Sequence, residues 1–223
     1  MKFYKTLTLL LISYITYGQD TAVQKTSKLN LVGYVGIHNI LTPNLHSKLA
    51  NIGYEKPAQS FYGFGVGLKY GGQKTFAGID LSIHMLGSEA RNIANAFLLQ
   101  AFLHHKIVDN GNLYIAPGID VGLQTIRIDF KRNNPANNFD TLFLSSGNYV
   151  RLRNLAPVGG ISAIIHFKKL DNKRSFILRG LAHIRVGYKY GLTGRQWRAD
   201  GKTIDNSPTD RLNSYYLQLV AGF

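Results

Sequence analysis

The chain has 223 residues, 45% of them hydrophobic, with no cysteine and a formal net charge of +14. The missing cysteine excludes disulfides and thiolate metal sites, and the length suits one domain. No stretch reaches the ~20 unbroken apolar residues of a membrane helix, so a membrane-embedded form of this chain would have to be a closed β-barrel.

The N-terminus has the layout of a secretory signal peptide: Lys2 and Lys5, then an apolar run from Leu7 to Ile15, then Thr16-Tyr17-Gly18. Residues 1–18 are expected to be removed on export, taking the charge from +14 to +12 by loss of the two lysines. Residues 19–28 form a polar lead-in, and residues 29–223 are predicted to be a single barrel domain.

From Leu29 onward the chain alternates with a period of two, the period of a strand with one apolar face. The first strand sets Leu31, Gly33, Val35 and Ile37 against Asn30, Val32, Tyr34, Gly36 and His38. A polar loop is predicted over 41–59. The second strand carries Tyr62, Phe64, Val66, Leu68 and Tyr70 opposite glycines, and ends at the Gly71–Lys74 turn. The third places Ala77, Ile79, Leu81, Ile83 and Met85 opposite Gly78, Asp80, Ser82 and His84. After a loop over 87–95, the fourth has Phe97, Leu99, Ala101 and Leu103 outside and Gln100, Phe102 and His104 on the other side.

Asp109-Asn110-Gly111-Asn112 is a hairpin turn, because Asn-Gly tolerates positive φ. The fifth strand begins at Leu113. Beyond Gln124 its phase slips, with Ile126, Ile128 and Phe130 on the other parity, which predicts a bulge or emergence from the membrane zone. Residues 131–153 read as a basic, Asn-rich connection, in which Thr141 to Leu144 and Tyr149 to Leu152 flank Ser-Ser-Gly-Asn as a hairpin that would extend strands five and six. The sixth strand holds Ile161, Ala163, Ile165 and Phe167, and the seventh Phe176 to Tyr190 with Arg179, His183, Arg185 and Lys189 opposite. A loop over 192–211 precedes the last strand, whose Tyr215, Leu217, Leu219, Ala221 and Phe223 share one face. This makes eight strands, with short turns alternating with long loops, as in outer-membrane barrels.

Alternation alone does not say which face is outside, but the polar residues do. A solvated exterior is dense in Lys and Glu, whereas this chain has only Glu55 and Glu89, both in predicted loops. Its polar face is rich in Gly, Ser and Gln, which fit the narrow lumen of eight strands. Tyr62, Phe97, Tyr188 and Tyr190 fall near the loop ends, and Tyr70, Phe167, Phe176 and Phe223 near the turn ends. Together they predict two interfacial girdles around an aliphatic belt.

On the leader, the eight alternations and the final Phe223, the chain resembles the small outer-membrane β-barrels of the OmpA/OmpX-like, porin-family type of diderm bacteria. The resemblance implies an eight-stranded antiparallel transmembrane barrel with short periplasmic turns and long extracellular loops. It also implies an outer-membrane location and a C-terminal strand, Tyr215 to Phe223, read by the barrel assembly machinery. It says less about activity, since function follows the site more than the fold.

If the polar face is the lumen, Asp80, Asp120, Arg179 and Arg185 are expected to pair there, because an uncompensated buried charge costs several kcal/mol. Counting from the turns places Asp80, His104, Arg179 and Gln218 at one height and Asp120 and His183 higher. No ligand spacing supports a metal, and no cofactor or catalytic set is predicted. The loops are basic. Arg195, Trp197 and Arg198 are the candidate contacts to lipopolysaccharide phosphates, to headgroups or to another envelope protein, while nucleic acid is a poor partner for an exported barrel. The expected role is non-enzymatic, structural or interactive. The alternatives are a narrow gated pore for small solutes and, less favoured, a lipid A-modifying enzyme.

Overall fold

The computed structural model describes residues 28–51, 57, 59–72, 74–85, 92–131, 149–168, 183–199, 202–203 and 206–222. Eight long strands form the barrel: β1 (Lys28–Leu41), β2 (Ser60–Gly71), β3 (Thr75–Met85), β4 (Asn92–His105), β5 (Leu113–Lys131), β6 (Tyr149–Phe167), β7 (His183–Gly191) and β8 (Asn213–Gly222). Each pairs antiparallel with its sequence neighbour, and β1 pairs with β8 from Val32–Gly222 to Leu41–Asn213. The sheet therefore closes, and no barrel edge is left unpaired.

The alternation resolves into an apolar outside and a mostly polar inside. Leu31, Val35, Phe64, Val66, Ile79, Ile119, Val121 and Ile161 are exposed on the exterior, Ile161 to 67%. Asp80, Gln100, His104, Asp120, Arg185 and Lys189 are buried within. A belt this apolar is what hydrocarbon covers, and a solvated surface does not carry it. Tyr62, Phe97, Tyr188 and Tyr190 edge the belt at the loop end, and Tyr70 and Phe167 at the turn end, all of them exposed. Phe176 and Phe223 lie outside the described residues. No helix among the described residues is long and apolar enough to cross a membrane.

Glycines on the inner face make room for the larger polar groups. A Cβ on Gly67 would collide with the Asp80 carboxylate, and one on Gly187 with the Tyr216 ring. At the turn end, the Asn110 side chain accepts from the backbone N–H groups of Asn112 and Leu113, both at 2.9 Å. Lys168 clamps the same turn through Asp109 and the Asn110 carbonyl. That ammonium holds the Asp109 carboxyl below the usual carboxylate range.

At the loop end the structure departs from one expectation and sharpens two others. The 41–59 segment contains a helix, α1 (Pro43–Asn51). Its Thr42-Pro43 start has a favoured N-cap residue followed by a proline, whose missing N–H costs nothing in the first turn. β5 and β6 are 19 residues each against 11 in β3, so they extend well beyond the ~9–11 residues that span a bilayer. β6 thus begins at Tyr149, where the sequence predicts an extension of the sixth strand, and takes up the last five residues of the predicted 131–153 connection.

Of the two readings of the phase slip after Gln124, the structure shows emergence from the membrane zone and not a bulge. β5 stays in unbroken register with β4 and β6 through Phe130. The inward face simply changes content, as buried Ile126, Ile128 and Phe130 replace the polar groups below. They join Ile40, Leu45, Leu49, Phe61, Leu152, Trp197 and Leu212 in one apolar cluster. Meanwhile the outward face turns polar, with Asp129 accepting from Arg127 at 2.6 Å and Arg151 at 3.1 Å. Above the belt the barrel follows the rule of a water-soluble protein.

Candidate functional site: a filled lumen and a basic rim

Three layers occupy the barrel interior. The middle layer is a charge network centred on Arg185. Its guanidinium donates from Nη1 to Asp80 and from Nη2 to Asp120 Oδ1 at 3.0 Å. Lys189 Nζ lies 3.3 Å from Asp120 Oδ2, to which the Tyr216 hydroxyl also donates at 2.7 Å. Gln100 donates to Asp80 Oδ2 at 3.0 Å. Two carboxylates thus face two cations, all four buried, the balance that makes charge tolerable away from water.

The network differs in detail from the sequence expectation. Asp80, Asp120 and Arg185 do meet, and His104 reaches them through Ser162, which lies 2.9 Å from His104 Nε2. Gln218 is buried on β8 in register with Arg185. Arg179 lies outside the described residues. His183 is not above the network but below it, 3.0 Å from the Tyr114 hydroxyl and against the His166 ring. His183 is the first residue of β7 and pairs with His166, one residue from the end of β6, which sets it near the turn end. Lys189 and Tyr216, absent from the expected set, share the inward parity of Arg185 and Gln218, and that parity is the signal that could have found them.

Ser162 lies between His104 and Asp120, but not as a nucleophile. Its hydroxyl donates to Asp120 Oδ1 at 3.1 Å. His104 Nε2 must therefore be the donor to Ser162, the reverse of the base–nucleophile relation, and His104 Nδ1 has no hydrogen-bond partner. Among the described residues no group of three or more His, Cys, Asp or Glu could hold a metal.

The next layer up is neutral. His38 Nδ1 lies 3.4 Å from His84 Nε2, and Ser82 is 2.8 Å from the same nitrogen. Ser214 donates to Gln124 Oε1 at 3.2 Å, and Gln124 donates onward to the Leu212 carbonyl at 3.3 Å.

The top layer is the apolar cluster, fastened by Asp210. The segments Arg195–Gln196 and Thr209–Asp210 pair with each other, and Arg198–Ala199 pairs with β6. This extended geometry points Arg195 and Arg198 outward and turns Trp197 in. The expected contact of Trp197 with headgroups or a partner is therefore corrected: its side chain is 0% exposed. Its indole N–H donates to Asp210 Oδ2 at 2.8 Å. Asp210 also accepts from the backbone N–H groups of Asn44 and Leu45, both at 3.0 Å, and so caps α1 from 165 residues away. A carboxylate at a helix N-terminus satisfies otherwise orphaned donors and meets the positive end of the helix dipole.

Outside this cap, Arg153, Arg195 and Arg198 line a cleft of about 490 Å³ with Leu155, Gln196 and Thr203. Other described arginines are engaged: Arg127 and Arg151 with Asp129, Arg185 in the lumen, and Arg211 with the Tyr190 hydroxyl. Arg153 donates only to the Thr125 hydroxyl, at 3.4 Å, and none of the three cleft arginines has an ion-pair partner among the described residues. On β8, Tyr215, Leu217 and Leu219 are exposed on the belt and Ala221 is half-buried. Phe223 lies outside the described residues.

No protein-family model matches the chain, and no curated protein matches it. Solved structures do. Neisserial surface protein A aligns at 8% identity over 89% of this chain and 98% of its own, with a TM-score of 0.53. Ail, the attachment invasion locus protein of Yersinia pestis, solved with the heparin analogue sucrose octasulfate, aligns at 10% identity over 88% and 97%, with a TM-score of 0.46. The N-terminal β-barrel domain of Pseudomonas aeruginosa OprF aligns at 10% identity over 89% and 100%, with a TM-score of 0.39. With its closed eight-stranded sheet, apolar belt and polar interior, the chain has the fold of the small outer-membrane β-barrels.

Proposed function

We propose that this protein is a non-conducting, non-enzymatic barrel of the bacterial outer membrane, with a structural or interaction role carried by its loop end. The observation that carries this reading is the double closure of the lumen. The Arg185 network crosses it at mid-height, and the Trp197 cluster fills it above. Water and ions crossing the barrel would have to break a balanced buried ion network and then enter an apolar core, both of which are costly. The reversed His104–Ser162 hydrogen bond supports a role without catalysis.

In the membrane, the turn end faces the periplasm after export and removal of residues 1–18, and the strand from Tyr215 to Phe223 serves as the signal to the assembly machinery. The cleft of Arg153, Arg195 and Arg198 faces outward just above the belt. Its uncompensated charge suits the phosphates of outer-leaflet lipopolysaccharide or an acidic envelope partner. The deciding experiment is planar-bilayer recording of the purified protein. Insertion without stepwise conductance is expected, and a steady open pore in the unmodified protein would overturn the proposal.

A further inference from the structure

Below the Arg185 network the lumen is not filled. A cavity of about 260 Å³ runs from the turn-end pair Asn30–Lys69 up to Asp80 and Arg185. Its walls include the apolar side chains of Val32, Phe102, Ile164 and Val220, all buried. Its size is just below the range of pockets that hold drug-sized ligands.

The charges around this cavity do not balance. Asp80 is the carboxylate among its lining residues, and it is already met by Arg185 and Gln100. Lys69 has no carboxylate partner among the described residues, and its ammonium rests over the Phe76 ring at 4.6 Å. The buried Nε–H of Arg185 has no acceptor. The network above has equal numbers of acids and bases, so among the described residues the charge of Lys69 is surplus. A half-buried cation without a counter-charge among the described residues, in a cavity that also holds an unused guanidinium donor, favours an anion. The apolar walls favour an anion that carries a hydrocarbon body.

We infer that this vestibule, bounded by Lys69 and Arg185, binds a small carboxylate with an aryl or short alkyl body, entering from the turn end. The carboxylate meets Lys69, and the body lies against Val32, Phe102, Ile164 and Val220 toward the Arg185 end. The site is a dead end, since the network closes its inner wall. This inference stands apart from the conductance reading, because a ligand can occupy the vestibule whether or not the lumen above it is sealed.

The test uses the full barrel folded in detergent micelles, titrated with para-fluorobenzoate and with neutral para-fluorobenzamide and followed by fluorine NMR. Saturable binding of the acid is expected, while the amide only partitions linearly into micelles. Lys69→Met should weaken acid binding roughly tenfold or more, the weight of one charge-assisted hydrogen bond. Val32→Phe, which fills the cavity and keeps the lysine, should abolish it. Lys48→Gln, on α1 at the opposite end, should leave it unchanged. Heat-shifted gel migration confirms that each variant is folded. Linear behaviour of both probes with the wild-type protein would overturn the inference, as would equal acid binding by wild type and by folded Lys69→Met and Val32→Phe.

Discussion

The indole N–H of Trp197 donates to Asp210 Oδ2 at 2.8 Å, in a layer where almost everything else is hydrocarbon. The same carboxylate caps α1. One buried acid thus holds a helix from the first loop, a hairpin from the last, and the chain's single tryptophan. Removing it leaves an indole and two backbone donors unsatisfied. Asp210→Ala should cost the cap about 2–4 kcal/mol. Trp197 emission should shift to the red and the cap should become open to protease, while the barrel keeps its heat-shifted migration. Unchanged emission would show that Asp210 does not hold the cap together.

The mid-lumen network predicts an asymmetry between breaking a charge set and shrinking it. Arg185→Ala leaves Asp80 without its cation and Asp120 with Lys189 alone, and should lower barrel stability in urea by about 3–5 kcal/mol. Adding Asp80→Asn should recover part of that loss, because one stranded charge is gone. A double variant no more stable than the single one would count against electrostatics as the cause.

Ile161 sits near the middle of β6 on the exposed belt. Ile161→Arg should cost about 2–4 kcal/mol in lipid, the penalty of a cation near the bilayer midplane. Equal folding of wild type and variant into vesicles would reverse the assignment of inside and outside.

At the rim, the paired reversal Arg195→Glu and Arg198→Glu should weaken retention on immobilised lipopolysaccharide about tenfold at low salt, and the difference should shrink near ~0.5 M salt as screening sets in. Both side chains point outward, so the fold should be unaffected. Retention insensitive to the reversal would remove these arginines from the contact.

The barrel was legible in the sequence because a strand writes its two environments directly into alternate residues. Leu31, Val66, Ile79 and Ile161 fall on one face by parity, and the Gly, Ser and Gln of the opposite face mark theirs as the outer one. The cap was less legible for two reasons. Ile126, Ile128 and Phe130 keep the inward parity of Gln124 but replace polar groups with apolar ones, so that continuity of structure looks like a slip of phase. Trp197 and Asp210 draw their meaning from partners such as Leu45, too distant in sequence for any local pattern to reveal. The helix was missed although Thr42-Pro43 is a local start signal. Within the network, Arg185 was identified but its companion Lys189 was not, because parity lists who can meet and says little about who does.

The placement of Asp210 also bears on the order in which the protein is built. α1 follows β1, the first strand, and Asp210 immediately precedes β8, the last. Their bond therefore lies beside the β1–β8 seam, and a chain still missing its final strand has nothing to fasten the helix. Most of the cap's other members, such as Phe130 and Leu152, are delivered earlier. They wait as an unfinished apolar surface until the seam zips. The cap is then a late event that records completion: a burial-sensitive signal from Trp197 during folding should report closure of the circle rather than insertion of its parts.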